Sequence, residues 1–172
     1  GAGTYTGTVA LAKSVKVVGR GAASTTVNGG GSNGFNVTAD GLGATNRMEI
    51  RDLTITGSSR GVNVSSNADY LTFQNVTFHA NTATGLSLDF GSTSDDVVVQ
   101  DCAFTSNLVG IKVHTQGVVT NFLVDGCTFT GNTGGGIFSD TALPSTGFTG
   151  VNFTNFTLSD SSFTSNGATN NQ

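Results

Sequence analysis

The sequence predicts an all-β fold, a right-handed parallel β-helix (solenoid) of about six coils with open ends. Three observations carry this. Two blocks of residues recur with a period near 25, apolar residues alternate with period two inside each block, and the composition suits short strands joined by tight turns. Of 172 residues, 25 are Gly, one is Pro and none is Trp, and only 10% are charged. So little charge would suit a disordered chain if apolar residues were scarce. Twelve Phe, with many Val, Ile and Leu at regular places, supply a core instead.

The first block reads Ile50-Arg-Asp-Leu-Thr-Ile55, Phe73-Gln-Asn-Val-Thr-Phe78, Val99-Gln-Asp-Cys-Ala-Phe104, Val124-Asp-Gly-Cys-Thr-Phe129 and Leu158-Ser-Asp-Ser-Ser-Phe163, with starts 23, 26, 25 and 34 residues apart. The second lies between these: Gly34-Phe-Asn-Val, Gly61-Val-Asn-Val, Gly85-Leu-Ser-Leu, Gly110-Ile-Lys-Val and Gly136-Ile-Phe-Ser. Its glycines are 27, 24, 25 and 26 residues apart. Two independent registers thus agree on the period. A unit of about three short strands has an apolar face it is too small to bury alone. Stacking copies in parallel, roughly 4.8 Å apart, pairs each backbone with the next and builds one continuous core.

Residues at the same place in the repeat then form columns along the axis. Ile55, Phe78, Phe104, Phe129 and Phe163 become an interior aromatic stack. Ser58, Asn81, Asn107, Asn132 and Asn166, each three residues later, read as a hydrogen-bonding ladder at a turn, where an amide satisfies open backbone groups. Cys102 and Cys127 share an inward position on adjacent coils, close enough for a disulfide or for two stacked thiols. Gly19-Arg-Gly-Ala-Ala-Ser24 echoes a phosphate-cradling loop, but a turn between coils is the better account.

With these repeats, and an opening that runs from Gly3-Thr-Tyr5 through Val15-Lys-Val-Val-Gly-Arg-Gly21 to Thr26-Val-Asn-Gly29, nearly the whole chain resembles the parallel β-helix repeat family of the pectin-lyase-like superfamily. That resemblance implies the fold. It spans polysaccharide lyases, hydrolases and epimerases, phage tailspikes and non-catalytic surface proteins, so it names no single activity. The chain is expected to form one β-helix domain over residues 1–172, a segment of a longer secreted or cell-surface protein. The stretch after Thr141 is the best candidate for a side loop.

In the Gly-apolar-x-apolar strand, counting Gly as zero, positions 1 and 3 point inward and positions 2 and 4 outward. Position 2 gives Asn36, Asn63, Ser87, Lys112 and Phe138; position 4 gives Thr38, Ser65, Asp89, His114 and Asp140. A His between two carboxylates on neighbouring coils could act as general acid or base near neutral pH. Asp89, His114 and Asp140 are therefore the candidate catalytic group, with Lys112, Ser87, Phe138 and Asn63 as the substrate-binding surface beside it. This resembles the groove with which enzymes of the superfamily handle acidic polysaccharides. The Asp-Pro-His motif of mannuronan epimerases and the paired Asp, Gly-His-Gly and Arg-x-Lys motifs of polygalacturonases are absent, and no Arg is placed in this groove. Asp95-Asp96 reads as a cap at a turn before a strand.

Two function classes follow. One is a structural or adhesive rod, or fibre segment, that contacts polysaccharide; the other is a lyase, C5-epimerase or glycoside hydrolase acting on acidic glycans. The net charge of −4 argues against nucleic acid, which needs clustered Lys and Arg. No apolar run is long enough to span a bilayer. Residues 1–60 hold six Lys or Arg against three acids, and residues 61–172 only Lys112 against eight Asp. Such an axial gradient, with open ends, favours end-to-end stacking of neighbouring copies. No metal site or cofactor is assigned, although outward Asp columns could hold calcium through oxygen. The Asn-x-Ser/Thr triplets at Asn36, Asn63, Asn75, Asn152 and Asn155 count as glycan sites only in a eukaryotic secretory host.

Overall fold

A computed structural model describes residues 1–65, 68–89, 94–113, 118–139 and 152–167. They form a right-handed parallel β-helix with a repeat close to 26 residues. One sheet runs β1 (Gly3–Thr6), β4 (Thr25–Asn28), β6 (Met48–Thr56), β8 (Leu71–His79), β10 (Ser94–Gln100), β13 (Val118–Asp125) and β16 (Asn152–Ser159). It is joined by β3 (Lys16–Val18), β11 (Ala103–Thr105), β14 (Thr128–Thr130) and β17 (Ser162–Thr164). A second, six-stranded sheet holds β2 (Val9–Leu11), β5 (Phe35–Val37), β7 (Arg60–Val64), β9 (Thr84–Leu88), β12 (Val109–Val113) and β15 (Gly135–Ser139). Its six rungs span about five turns, close to the six coils expected. The loop at Gly19–Ser24 is a turn between β3 and β4.

The expected aromatic column is in register and buried from Ile55 to Phe129, while its last ring, Phe163, is exposed. Ile55 pairs with Phe78, Phe78 with Phe104, Phe104 with Phe129 and Phe129 with Phe163. The four rings lie 4.6, 4.8 and 4.6 Å apart, each 3° from its neighbour. Beside them runs the amide ladder. Asn81 Nδ2 donates to Asn107 Oδ1 at 2.9 Å, Asn107 Nδ2 to Asn132 Oδ1 at 3.0 Å, and Asn132 Nδ2 to Asn166 Oδ1 at 2.9 Å. Each Nδ2 also donates to a carbonyl of the preceding coil, and each Oδ1 accepts a backbone N–H from it. Both donors and both lone pairs of a buried amide are thereby used. Cys102 and Cys127 are free, buried thiols. Burial pushes the Cys102 thiol up, so it stays protonated.

Three columns of residues with positive φ make the corners. Asp52, Asn75, Asp101, Gly126 and Asp160 form one; Gly57, Ala80, Ser106, Gly131 and Ser165 another; Tyr70, Asp96, Asn121 and Asn155 the third. A single left-handed residue turns the chain sharply without ending the ladder, and Asp, Asn and Gly tolerate it best. This explains why β6 buries Ile50 and then Leu53, skipping two positions. It also corrects the reading of Asp95-Asp96 as a cap: both lie within β10, with Asp96 at a corner.

The repeated glycine has a steric cause. A Cβ at Gly85 would stand 2.7 Å from the Gly110 carbonyl oxygen, 2.8 Å from Phe104 Cδ1 and 3.0 Å from Phe78 Cβ. Gly34, Gly61 and Gly110 meet the next coil's carbonyl in the same way. We therefore expect Gly85→Ala to destabilise the domain by about 1–3 kcal/mol through overpacking. The check is the shift in denaturant midpoint.

Candidate functional site

The outward side chains of the second sheet are brought together as expected. Asn36 pairs with Asn63, Asn63 with Ser87, Ser87 with Lys112 and Lys112 with Phe138. One polar or aromatic group thus stands on each rung. Lys112 Nζ lies 5.3 Å from the centre of the Phe138 ring, a cation–π contact. Both side chains remain partly open to solvent. Asn63 and Ser87, expected on an open face, are instead buried at 6% and 1% exposure. Short side chains on a sheet face sit below longer neighbours about 5 Å away, and the Arg60 guanidinium reaches Asn63 directly.

That arginine corrects a second expectation, that the groove holds none. Arg60 Nη1 donates to Asp89 Oδ2 at 2.8 Å and to Asn63 Oδ1 at 3.2 Å. The reason lies in the glycine that follows it. A Cβ on Gly61 would point at Phe78 and Asn81, so Gly61 and Val62 both face inward and strict alternation fails there. The residue before the glycine is released onto the outer face. Counting every position from Gly as zero hides this; the steric requirement for glycine was the available signal.

Of the candidate catalytic group, Asp89 is placed, half-buried and paired with Arg60. His114 and Asp140 lie outside the described residues, as does the stretch after Thr141. Among the described residues no three His, Cys, Asp or Glu side chains converge to hold a metal ion, and no helix is long and apolar enough to cross a membrane. The face offers the Lys112 ammonium and the Phe138 ring to solvent, above a buried hydroxyl and amide on the preceding rungs. Those two groups can charge-pair with and stack on a chain lying along the axis.

Comparison with known proteins gives one family. The model described as "right handed beta helix region" matches residues 12–149, which takes in the whole glycine column from Gly34 to Gly136. No curated protein and no solved structure matches the chain. The repeat, the register and this match together place the chain in the right-handed β-helix family.

Proposed function

We propose that the chain is an extracellular or cell-surface scaffold, a structural or adhesive rod whose second sheet contacts polysaccharide without turning it over. The observation that carries this is the Phe138 ring beside Lys112, in register with Ser87 and Asn63 on the two preceding rungs. A partly open ring gives a sugar a stacking surface, and the Lys112 ammonium one rung away, roughly 4.8 Å along the axis, can pair with an acidic group of the same chain. Asp89, the placed member of the candidate catalytic group, is engaged by Arg60. Copies stacking end to end would extend this surface. We expect Phe138→Ala to weaken retention by a binding polysaccharide about tenfold, equivalent to about 1.4 kcal/mol. Affinity electrophoresis on a panel of acidic and neutral glycans measures it. Unchanged retention would remove the ring from the binding surface.

Arg60 also favours a second reading. A cation beside Asp89 supplies a charge-neutralising group of the kind that a lyase or C5-epimerase needs when a proton leaves the carbon next to a uronate carboxyl. On that reading Asp89, His114 and Asp140 do the proton transfer, and His114→Ala abolishes turnover.

A further inference from the structure

Both cysteines of the chain lie in one interior column on adjacent coils, where neither the fold nor the polysaccharide reading requires a thiol. The Thr128 N–H donates to the Cys102 carbonyl at 2.9 Å, and the Ser162 N–H to the Cys127 carbonyl at 2.9 Å. With Ala103 in register with Thr77 and Thr128, the column runs Leu53, Val76, Cys102, Cys127, Ser161. Its first two rungs show that plain hydrocarbon fills this position. The only two cysteines in 172 residues therefore meet as a pair rather than as scattered core residues.

The geometry of the column suits a covalent link. Stacked parallel coils put their Cα atoms roughly 4.8 Å apart, inside the span of about 4.4–6.8 Å that a disulfide bridges. The two sulfurs already stand within hydrogen-bonding reach of each other. Their other contacts match: Cys102 Sγ donates to the Gln100 carbonyl at 3.3 Å, and Cys127 Sγ to the Asp125 carbonyl at 3.3 Å. The side chains thus run parallel, and joining them requires one to turn about χ1. The thiols give up only weak hydrogen bonds in doing so. A bond made this way is strained and more easily reduced again.

The two cysteines differ in access and in ionisation. Both are buried, but the coil that covers Cys127 is itself little buried. Ser161 Oγ accepts the Cys127 N–H at 3.0 Å, and every residue of β17, which follows, is exposed. Segments with few buried contacts open at low cost, so Cys127 is uncovered first. A hydrogen bond from the neighbouring Cys102 thiol holds the Cys127 pKa below its ordinary value, whereas burial raises that of Cys102. Cys127 is thus the sulfur that meets an oxidant, and Cys102 the one that resolves the product.

We propose that Cys102 and Cys127 are a reversible redox pair that closes into a coil-to-coil disulfide. The Cys127 thiolate attacks a small-molecule disulfide, whose S–S bond breaks and releases one thiolate. Cys102 then loses its proton and its sulfur attacks that of Cys127, releasing the second. One S–S bond has formed and one has broken, and two electrons and both protons end on the small thiols. The closed loop contains β12 with Lys112, so oxidation fastens the Lys112 rung to the next coil. The chemistry does not depend on the polysaccharide reading.

The test incubates the reduced chain with oxidised glutathione in urea below the unfolding transition, then quenches with acid. The intact mass should fall by two hydrogens, and a peptide map should join Cys102 to Cys127. The thermal midpoint should rise by roughly 5 °C and return with dithiothreitol. Cys102→Val and Cys127→Val supply the hydrocarbon found at Val76, and circular dichroism confirms that both fold. Cys102→Val should trap glutathione on Cys127 several-fold faster than Cys127→Val traps it on Cys102. Thiols that stay free in the parent overturn the proposal, as does a disulfide formed only between chains. Equal trapping in the two variants overturns the order of attack.

Discussion

Asn107→Ala is expected to destabilise the domain by about 3–9 kcal/mol, because it orphans three buried groups at about 1–3 kcal/mol each. Asn81 loses the acceptor of its backbone N–H and of its Nδ2, and the Phe78 carbonyl loses its donor. Asn132 keeps the backbone N–H of residue 107 at its Oδ1, so the damage runs mainly toward the N-terminal coils. Hydrogen exchange should therefore show lost protection at Asn81 before Asn132. Since members of one network do not contribute independently, Asn81→Ala with Asn107→Ala should cost less than the sum of the two. A strictly additive pair would mean that the amides act singly rather than as a ladder.

Phe104→Ala should cost about 3–5 kcal/mol, the range for emptying a buried aromatic site. Phe104 is fully buried and stacked on both sides, at 4.6 Å from Phe78 and 4.8 Å from Phe129. The coils on either side are held apart by their paired backbones, so the cavity has little means of collapsing. Phe104→Leu keeps most of the volume and should cost under about 1.5 kcal/mol. Equal midpoints for the two variants, measured by denaturant titration, would show that the site does collapse around the missing ring.

Much of this architecture was legible because the repeat constrains it twice. A glycine register and an aromatic register with one shared period leave only a stacked coil, and each column then follows by counting. The ladder was legible because Asn recurs three residues after each aromatic from Phe78 onward, where backbone groups need a partner. The corners were not read, although Asp52, Asn75, Asp101, Gly126 and Asp160 recur as the residue types that accept positive φ. The site was legible in its register but not in its depth or its charge. Ser87 is covered because its neighbours are longer, a tertiary effect that no alternation rule contains. Arg60 was missed because glycine occupies an inward position without a side chain to reveal it, which shifts the phase of the strand by one residue.

The most direct test of a non-catalytic, glycan-contacting rod is a turnover assay on a panel of acidic and neutral polysaccharides, with the parent beside His114→Ala. The account predicts that folded parent retains a polysaccharide and releases no product from any of them. Product formed by the parent and lost in His114→Ala would contradict it, and would make the same strand face the active site of an enzyme.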